Sequence, residues 1–460
     1  MTSTSDNTNS TESENQSSYQ QLPTVDVEQS FDEGSILQTP DHVSARRTTW
    51  NFVLMSILFS ANHGSVVSCL GVASNRLDRT GAASSGILFF SYTASALLGS
   101  TYVTKRAGSR QALIYGMGLY CVYVGCFWLA TLATTDATEK LFCWGGAALG
   151  GVGGGILWNS QGTYFGKAAE EHAQQLDQSI EVSTASLAGI FATIYLIEEL
   201  ALRLLSTFLL ESGAASWEGI FGVYTAVALL SVIPMPFLRD YRSTDASDSE
   251  SISVIFDKVT VAGKLLVRDP KMKYMVGLNA VFGFTSAFLG SYVNGEVLPV
   301  ALSDENGKMI GVLTGWTAFT AAGFSLLFGR LAPILGKGPI LIGGGVCFMM
   351  VVLPFLVQPD AHTYNLASLL FVYTMQGESH SLSHFTHSGL FNILMFPPFH
   401  CSTLIRLSSL QGIGRATFEG TLKATFADFF SYEKEGAFGN IILQNGLAGA
   451  IGYFCTRFPS

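Results

Sequence analysis

The feature that most constrains this chain is a series of apolar segments, each about 20 residues long, that recurs along most of the sequence. A segment of that length forms an α-helix that crosses the hydrocarbon core of a bilayer. Inside lipid each backbone N–H and C=O needs a partner within the protein, which an α-helix supplies. The sequence therefore predicts an all-α polytopic membrane protein. The eleven spans that we place lie at about residues 50–72, 83–104, 111–132, 141–163, 184–208, 217–238, 274–294, 309–330, 338–357, 363–376 continued at 412–418, and 437–455.

Composition indicates the same class of protein. Only 13% of the residues are charged, whereas about 25% are charged in an ordinary soluble domain. The 48 glycines suit membrane helices that pack closely against one another. There is too little charge to cover a soluble surface of this size, so a soluble globular domain is excluded.

Residues 1–45 form a different kind of segment. They contain eight acids and no Lys or Arg, and they are rich in Ser, Thr, Asn and Gln. Such a segment buries too little apolar surface to fold, so we predict a disordered acidic tail. The rest of the chain holds 26 acids against 25 bases, so the net charge of −9 comes almost entirely from this tail. The net charge therefore does not indicate an acidic partner.

Basic residues are unevenly divided between the two sides of the predicted membrane. Nineteen, including Arg415 and Lys423, fall on the side of the N terminus, and four fall on the opposite side. Because Lys and Arg concentrate in short cytoplasmic loops, we expect a multi-pass integral membrane protein with a cytosolic N terminus. The pattern leaves open whether it resides in the plasma membrane or in an endomembrane.

The spans fall into two sets, which we assign to an N-terminal six-helix half, 46–238, and a C-terminal half, 273–460. Between them, 239–272 contains ISVIFDKVTVAGKLLVR, whose apolar residues recur at helical spacing. We predict a cytosolic linker with an amphipathic helix on the membrane surface. This is the layout of the major facilitator superfamily, in which two halves rock about a site at the membrane midplane. The expected fold class is a two-half helical bundle of that type.

The fourth predicted span, Gly145–Phe165, is unusually rich in glycine. Gly151, Gly155 and Gly162 follow small-residue spacings that let a neighbouring helix approach closely. We therefore interpret this side of the span as a packing face.

Three other side chains of the same span are polar or amphipathic. Trp158 and Tyr164 are placed to anchor one end of the helix near a membrane interface. Gln161 is interpreted as a packing residue, with the lining of a polar cavity as the alternative.

Three sequence blocks form a pattern when they are taken together. They comprise Gly153, Gly155, Trp158, Gln161, Gly162 and Tyr164 in the fourth span; Gly412, Gly414, Arg415 and Glu419 in GIGRATFEGTLKATFADFF; and AFGNIILQNGLAGAIGYF from Ala437 to Phe454. The blocks resemble the uncoordinated-ninety-three family of ion-channel regulatory proteins, a branch of the major facilitator superfamily, over roughly 46–376 and 411–456. The resemblance implies twelve spans. Some family members associate with potassium channels and others escort receptors through internal membranes, so it does not imply one activity.

The chain departs from the superfamily pattern in the loop TYVTKRAGSRQ. Arg106, Gly108 and Arg110 agree with the signature, but Lys105 stands where an Asp is usual. The resemblance implies that this Asp takes part in charge contacts that gate the halves, so its absence weakens the case for an ordinary proton-coupled carrier. The chain also ends at Ser460, and we expect the last of the twelve spans to be missing.

The fifth span contains ionisable residues at membrane depth. Glu199 and Arg203 are one helical turn apart, and we predict that they neutralise each other. Glu198 is left unpaired, and its alternative role is to face the cavity and bind a cation or a proton. Asn62 in the first span and Asn279 in the seventh are expected to make hydrogen-bonded helix contacts.

Residues 377–411 interrupt the tenth span. A Gln-Gly dipeptide flanks the segment on both sides, and deleting the 35 residues between the repeats gives LLFVYTMQGIGRATFEG, an unbroken span. We predict a foreign insertion, such as a retained intron. His380, His384 and His387 have a spacing that would suit a metal on a helix, but Pro397-Pro398 and the Ser-rich composition disfavour a stable helix. We therefore expect no metal site.

The sequence shows no phosphate-binding loop, nucleophile elbow or other catalytic constellation, so we expect neither an enzyme nor a cofactor. The expected partners are the lipid bilayer and an ion channel or other membrane protein, with no nucleic acid. We predict regulation of an ion channel or potassium homeostasis. The alternatives are a secondary transporter of a small solute or cation, and a trafficking escort. Polar residues that converge from both halves would favour the transporter, whereas a cavity filled by apolar side chains or lipid would favour the regulator.

Overall fold

A computed structural model describes residues 41–241, 261–303, 308–366, 368–369 and 411–455. Nearly all of these residues are helical. The predicted acidic tail up to residue 40, the three histidines and almost all of the predicted insertion lie outside the described residues.

The N-terminal half consists of long helices joined by short turns. Asp41 caps the first helix by accepting a hydrogen bond from the Ser44 N–H at 3.1 Å. Gly108, with φ of +83°, makes the sharp turn between the third and fourth helices. The helices are α1 His42–Arg76, α2 Asp78–Leu98, α3 Ser100–Ala107, α4 Ser109–Thr131, α5 Asp136–Leu176, α6 Ile180–Glu211 and α7 Trp217–Val232, followed by a 3₁₀ turn at Met235–Phe237.

The C-terminal half contains two π-helical segments. The linker before it contributes helix α8 at 261–268. The next, α9, comprises Pro270–Phe288, the π-helical segment Leu289–Val297, and Leu298–Leu302. Then come α10 Lys308–Leu335, α11 Lys337–Val357 and a 3₁₀ turn at Ala361–Thr363. Helix α12 comprises Gln411–Ala416, the π-helical segment Thr417–Leu422, and Lys423–Phe429, and it is followed by α13 Lys434–Cys455.

Eight helices of the described chain are long and apolar enough to cross a membrane, or nine if the pair α2 and α3, bent by 57°, counts as one span. The all-α polytopic class is therefore confirmed. The last two predicted spans are helical as well, but α12 and α13 are too polar to pass by composition. In α13, Asn440, Gln444 and Asn445 are all buried, because this helix packs against α2, α5 and α9.

The linker helix α8 packs on the start of α13. Asn440 Nδ2 donates a hydrogen bond to the Ala262 carbonyl at 2.7 Å, and Leu265 is also buried. At the following turn the Tyr432 hydroxyl donates to Asp269 Oδ2 at 2.6 Å, which lowers the pKa of that carboxyl group. Contact with the membrane surface remains a prediction for this segment.

The two halves meet along α2 with α13 and along α6 with α10. Glycine permits the close approach at the second contact, because a Cβ on Gly311 of α10 would lie 2.8 Å from the Arg203 carbonyl oxygen of α6. We call the end of the bundle where α1 begins the near end, and the opposite end the far end.

The glycines of α5 form packing faces. A Cβ on Gly151 would lie 2.3 Å from the Leu88 carbonyl oxygen, and one on Gly155 would lie 2.5 Å from Ser95 Oγ, both on α2. A Cβ on Gly162 would lie within 2.1 Å of the ring of Phe438 on α13. Close packing at these glycines therefore joins α5 to both halves.

Candidate functional site

A central cavity lies between the two halves. It encloses about 1420 Å³ of empty space, including open solvent at its margin. Helix α1 lines it from His63 to Gly71 and α9 lines it from Phe282 to Asn294, in both cases along the part of the helix nearer the far end. The cavity therefore extends from the middle of the bundle toward the far end.

Glu199 on α6 lies at the centre of a charged cluster on the cavity wall and is completely buried. Arg203 Nη2 is 2.8 Å from Glu199 Oε1, and Arg415 Nη1 from α12 donates to the same oxygen at 3.0 Å. Arg415 Nη2 pairs with the other carboxylate oxygen and donates to the Tyr195 hydroxyl at 3.3 Å. Arg203 Nη1 donates to Thr314 Oγ1 at 2.6 Å. One carboxylate is thus shared by two guanidinium groups, one from each half.

A second buried ion pair lies on α12, with Glu419 about one turn after Arg415 and Lys423 about two turns after it. Lys423 Nζ is 2.5 Å from Glu419 Oε2, and both side chains are buried. The same ammonium lies 3.8 Å from the ring centroid of Trp158 on α5, a short cation–π distance. Glu419 belongs to the π-helical segment Thr417–Leu422, and such segments often occur at functional sites.

Aromatic rings form the wall beside these charges. The imidazole of His63 lies 4.9 Å from the ring of Trp158 and 5.5 Å from the rings of both Tyr120 and Tyr195, between centroids. His63 Nδ1 is buried and has no hydrogen-bond partner. The cavity therefore combines charge of both signs with an aromatic surface.

Ion pairs between the halves close the near end. Lys105 on α3 is 2.8 Å from Glu433, which precedes α13. Glu170 on α5 pairs with Lys434 on α13. We call these two pairs the near-end gate.

A polar cluster extends the near-end gate. The Thr184 hydroxyl on α6 donates to Asp428 Oδ1 on α12 at 2.8 Å. Lys337 on α11 pairs with the same carboxylate. The bundle is therefore closed at its near end, while the cavity approaches its far end.

Lys105 takes part in a charge contact between the halves. The resemblance implied an Asp at this position, and its absence weakened the case for an ordinary proton-coupled carrier. Lys105 makes a contact of the opposite polarity, because its partner Glu433 is acidic.

The structure shows the environment of four other residues that the sequence analysis singled out. Glu199 lines the cavity and Glu198 is not among its lining residues, so the cavity does not support the role that we gave as the alternative for Glu198. Gln161 is buried away from the cavity and agrees with the packing interpretation. Trp158 lines the cavity, and Tyr164 is wholly buried with its hydroxyl donating to the Arg239 carbonyl at 3.1 Å. Neither ring anchors the helix at a lipid interface.

The two predicted asparagines lie in helix contacts. Asn62 Nδ2 donates to the Ala228 carbonyl at 3.1 Å, and Asn279 Nδ2 donates to Gln444 Oε1 at 2.6 Å. Gly414 admits the ring of Phe348, since a Cβ there would lie 2.8 Å from it. Gly412 lies in the first turn of α12.

Lys423 is a charged cavity residue that sequence reasoning missed, and Arg415 was named as a family-motif residue but not as a cavity residue. Both were counted among loop bases, but both line the cavity. Arg415, Glu419 and Lys423 are spaced four residues apart, which places them on one face of a helix. That spacing is the signal that could have identified them.

Comparisons with known proteins agree with this architecture. The family of ion channel regulatory protein UNC-93 matches over residues 77–368. The chain is 22% identical to UNC93-like protein 3 of Arabidopsis thaliana over 392 residues, which cover 83% of this chain and 74% of that protein. It is 21% identical to Protein unc-93 homolog A of Danio rerio over 460 residues, which cover 90% and 86%.

Solved structures show the same fold. The proton:xylose symporter XylE bound to 6-bromo-6-deoxy-D-glucose has a TM-score of 0.58 at 13% identity, covering 90% of this chain and 88% of that one. The human organic anion transporter MFSD10 has a TM-score of 0.56 at 11% identity, covering 89% and 92%. The major facilitator superfamily fold and the family resemblance are both confirmed, and this multi-pass membrane protein belongs to the UNC-93 family of ion channel regulatory proteins.

Proposed function

We propose that this chain is a secondary transporter that carries a small solute through the central cavity by moving its two halves relative to each other. The observation that supports it is the convergence of buried charges from both halves. Glu199 and Arg203 come from α6, and Arg415 comes from α12. Charges at membrane depth are costly, and they commonly mark a substrate or ion pathway.

The near-end gate also favours movement. Lys105 and Glu433 each keep 22% of their side-chain surface exposed. Glu170 keeps 40% of its side-chain surface exposed, whereas its partner Lys434 keeps 10%. Because ion pairs with access to water are weaker than buried ones, the pair of Lys105 and Glu433 is the part of the gate that is easier to break. The buried cluster in the cavity belongs to the other class of ion pair, which is expensive to break.

Solute uptake and whole-cell current, measured in parallel in cells with and without the protein, test this proposal. We expect uptake of at least one solute to depend on the protein and to fall when Arg415 is changed to Gln. Lys140→Gln is the matched control, because Lys140 is an exposed base that pairs only with Asp136 on its own helix among the ion pairs of the described chain. Currents that change without any protein-dependent uptake would contradict transport.

Regulation of an ion channel is the second candidate, and family membership favours it. In that case the protein contacts a channel or another membrane protein, and potassium homeostasis is the specific role that we propose. The expected result is an altered potassium current with no change in solute uptake.

We also propose that the near end and the N terminus face the cytosol. Two of the nineteen bases counted on that side lie in the cavity, which leaves seventeen against four. That excess still follows the rule for cytoplasmic loops.

A further inference from the structure

We infer that the central cavity binds a small organic anion whose apolar body lies against the aromatic wall. The inference rests on the proposed function and names the substrate class of the same site. Three observations support it: the net charge of the cavity lining, the position of the excess positive charge, and the aromatic and polar side chains of the cavity wall.

Among the described residues, those that line the cavity carry one more positive charge than negative charges. Its bases are Arg203, Arg415 and Lys423, and its acids are Glu199 and Glu419, so three minus two leaves one positive charge. The sum leaves out His63, whose imidazole lies among aromatic rings. An uncompensated charge in a site of low polarity favours a ligand of opposite sign.

The excess charge is located beside Glu199. Lys423 and Glu419 neutralise each other, whereas Glu199 faces two guanidinium groups. The carboxylate of Glu199 has no exposed surface, but the side chains of Arg203 and Arg415 keep 11% and 15% of theirs. The side chains of the two arginines, and not the Glu199 carboxylate, thus keep accessible surface at the cavity.

Guanidinium chemistry specifies the charged group of the ligand. Each guanidinium has five N–H donors, some of which donate to Glu199, Tyr195 or Thr314. The donors that these residues do not use can donate to the oxygens of a ligand carboxylate. Because Arg415 and Arg203 come from different halves, an anion held between them contacts both halves at once.

The rest of the wall suits an apolar body with a polar substituent. Phe282 and Phe418 stack with 3.6 Å between ring centroids, and both line the cavity. On the same lining, His63 Nδ1 and Asn445 Oδ1 are buried without a hydrogen-bond partner. A buried polar atom without a partner is unfavourable, so a hydroxyl on the ligand would find an acceptor there.

The test uses the purified full chain in phosphatidylcholine nanodiscs and three probes of nearly equal shape. Radiolabelled benzoate is the anion, benzyl alcohol is the neutral competitor and benzylammonium is the cationic competitor. We expect benzoate to bind about tenfold or more tightly than benzyl alcohol, as expected for a charge-assisted hydrogen bond. Benzylammonium is expected to compete least.

Variants locate the site. Arg415→Gln still leaves Glu199 paired with Arg203, and we expect it to weaken benzoate binding about tenfold or more with little effect on benzyl alcohol. Arg203→Gln is the second variant in case the first does not fold, because it leaves Glu199 paired with Arg415. Lys140→Gln is expected to bind all three probes as the unmodified chain does.

Three results would overturn the inference. They are stronger binding of benzylammonium than of benzoate, a preference for benzoate that survives both arginine changes, and no binding of benzoate, phenylacetate or lactate by folded protein. Loss of benzoate binding in phosphatidylglycerol nanodiscs would show that an anionic lipid competes for the site. That result would contradict a soluble anion as the ligand. Protein-dependent uptake of a neutral or cationic solute would contradict the anionic ligand but support transport. Binding of an anion without any uptake would support the anionic ligand but contradict transport.

Discussion

Glutamine at Glu199 is expected to destabilise the protein more than glutamine at either of its two arginine partners. Glu199 is wholly buried and is the only carboxylate in contact with Arg203 and Arg415 in the described chain. Glu199→Gln leaves two neighbouring guanidinium groups without a counter-charge. Arg203→Gln or Arg415→Gln leaves the carboxylate with one partner.

The expected magnitudes follow from the N–O distances of 2.8 and 3.0 Å between Glu199 and the two guanidinium groups. At a charge separation of about 4 Å and an effective dielectric constant of about 20, one such pair is worth ~4 kcal/mol. Removing one partner of a buried pair typically costs about 3–5 kcal/mol, which we expect for Glu199→Gln. Loss of one arginine removes charge-assisted hydrogen bonds worth about 1.5–3 kcal/mol and also relieves the excess positive charge.

The double variant distinguishes this cluster from a simple pair. If Glu199 and Arg203 formed an isolated pair, as their spacing alone suggests, neutralising both would be milder than neutralising Glu199 alone. The structure predicts that Glu199→Gln with Arg203→Gln stays destabilised, because Arg415 still lacks its counter-charge.

Folded yield and Tm in detergent, measured by fluorescence-detected size exclusion, give the ranking of these variants. We expect Arg203→Gln and Arg415→Gln to retain more folded protein than Glu199→Gln or the double variant. The reasoning is refuted if Glu199→Gln is as stable as the arginine variants, or if the double variant returns to the Tm of the unmodified chain.

Three other predictions concern packing, topology and the insertion. Gly162→Ala is expected to lower stability by about 1–3 kcal/mol through overpacking. Gly118→Ala, which meets open space, should keep or raise the Tm, because Ala favours a helix more than Gly does; equal Tm values for the two variants would contradict the close packing. Asn9 and Asn15 both begin N-x-[ST] glycosylation sequons. They are expected to stay unglycosylated if the N terminus is cytosolic, and a mobility shift on glycosidase treatment would indicate the opposite topology. Messenger RNA sequencing is expected to show a dominant transcript without 377–411, and an active protein that retains the segment would oppose that view.

Hydropathy predicted the helices well, because the requirement for backbone hydrogen bonds in lipid leaves few other structures. It worked least well for α12 and α13, whose buried polar residues face other helices. Four polar residues of these two helices, Arg415, Glu419, Lys423 and Asn445, line the cavity. The part of the sequence that least resembles a membrane span is therefore closely tied to the site.

The site itself was only partly predictable, because helix rotation and tertiary contacts decide it. Glu198 and Glu199 are adjacent in sequence, yet only Glu199 lines the cavity. Spacing within α6 identified Arg203 as a neighbour of Glu199, but no local pattern could bring Arg415 from a helix more than 200 residues away, as the Arg415-to-Glu199 separation of 216 shows. Lys105 shows the same limit, since its partner Glu433 belongs to the other half.

The central claim is that the two halves move so that the cavity opens at either end, and a distance across the near end tests it most directly. Gln174 on α5 and Ser431 before α13 are exposed, one in each half, and both can carry spin labels after the native cysteines are replaced. We expect a short distance in the unmodified chain, a second and longer distance when Lys105→Glu opposes Glu433, and recovery of the short distance when Glu433→Lys is added. A single distance that is the same in all three proteins would contradict the account.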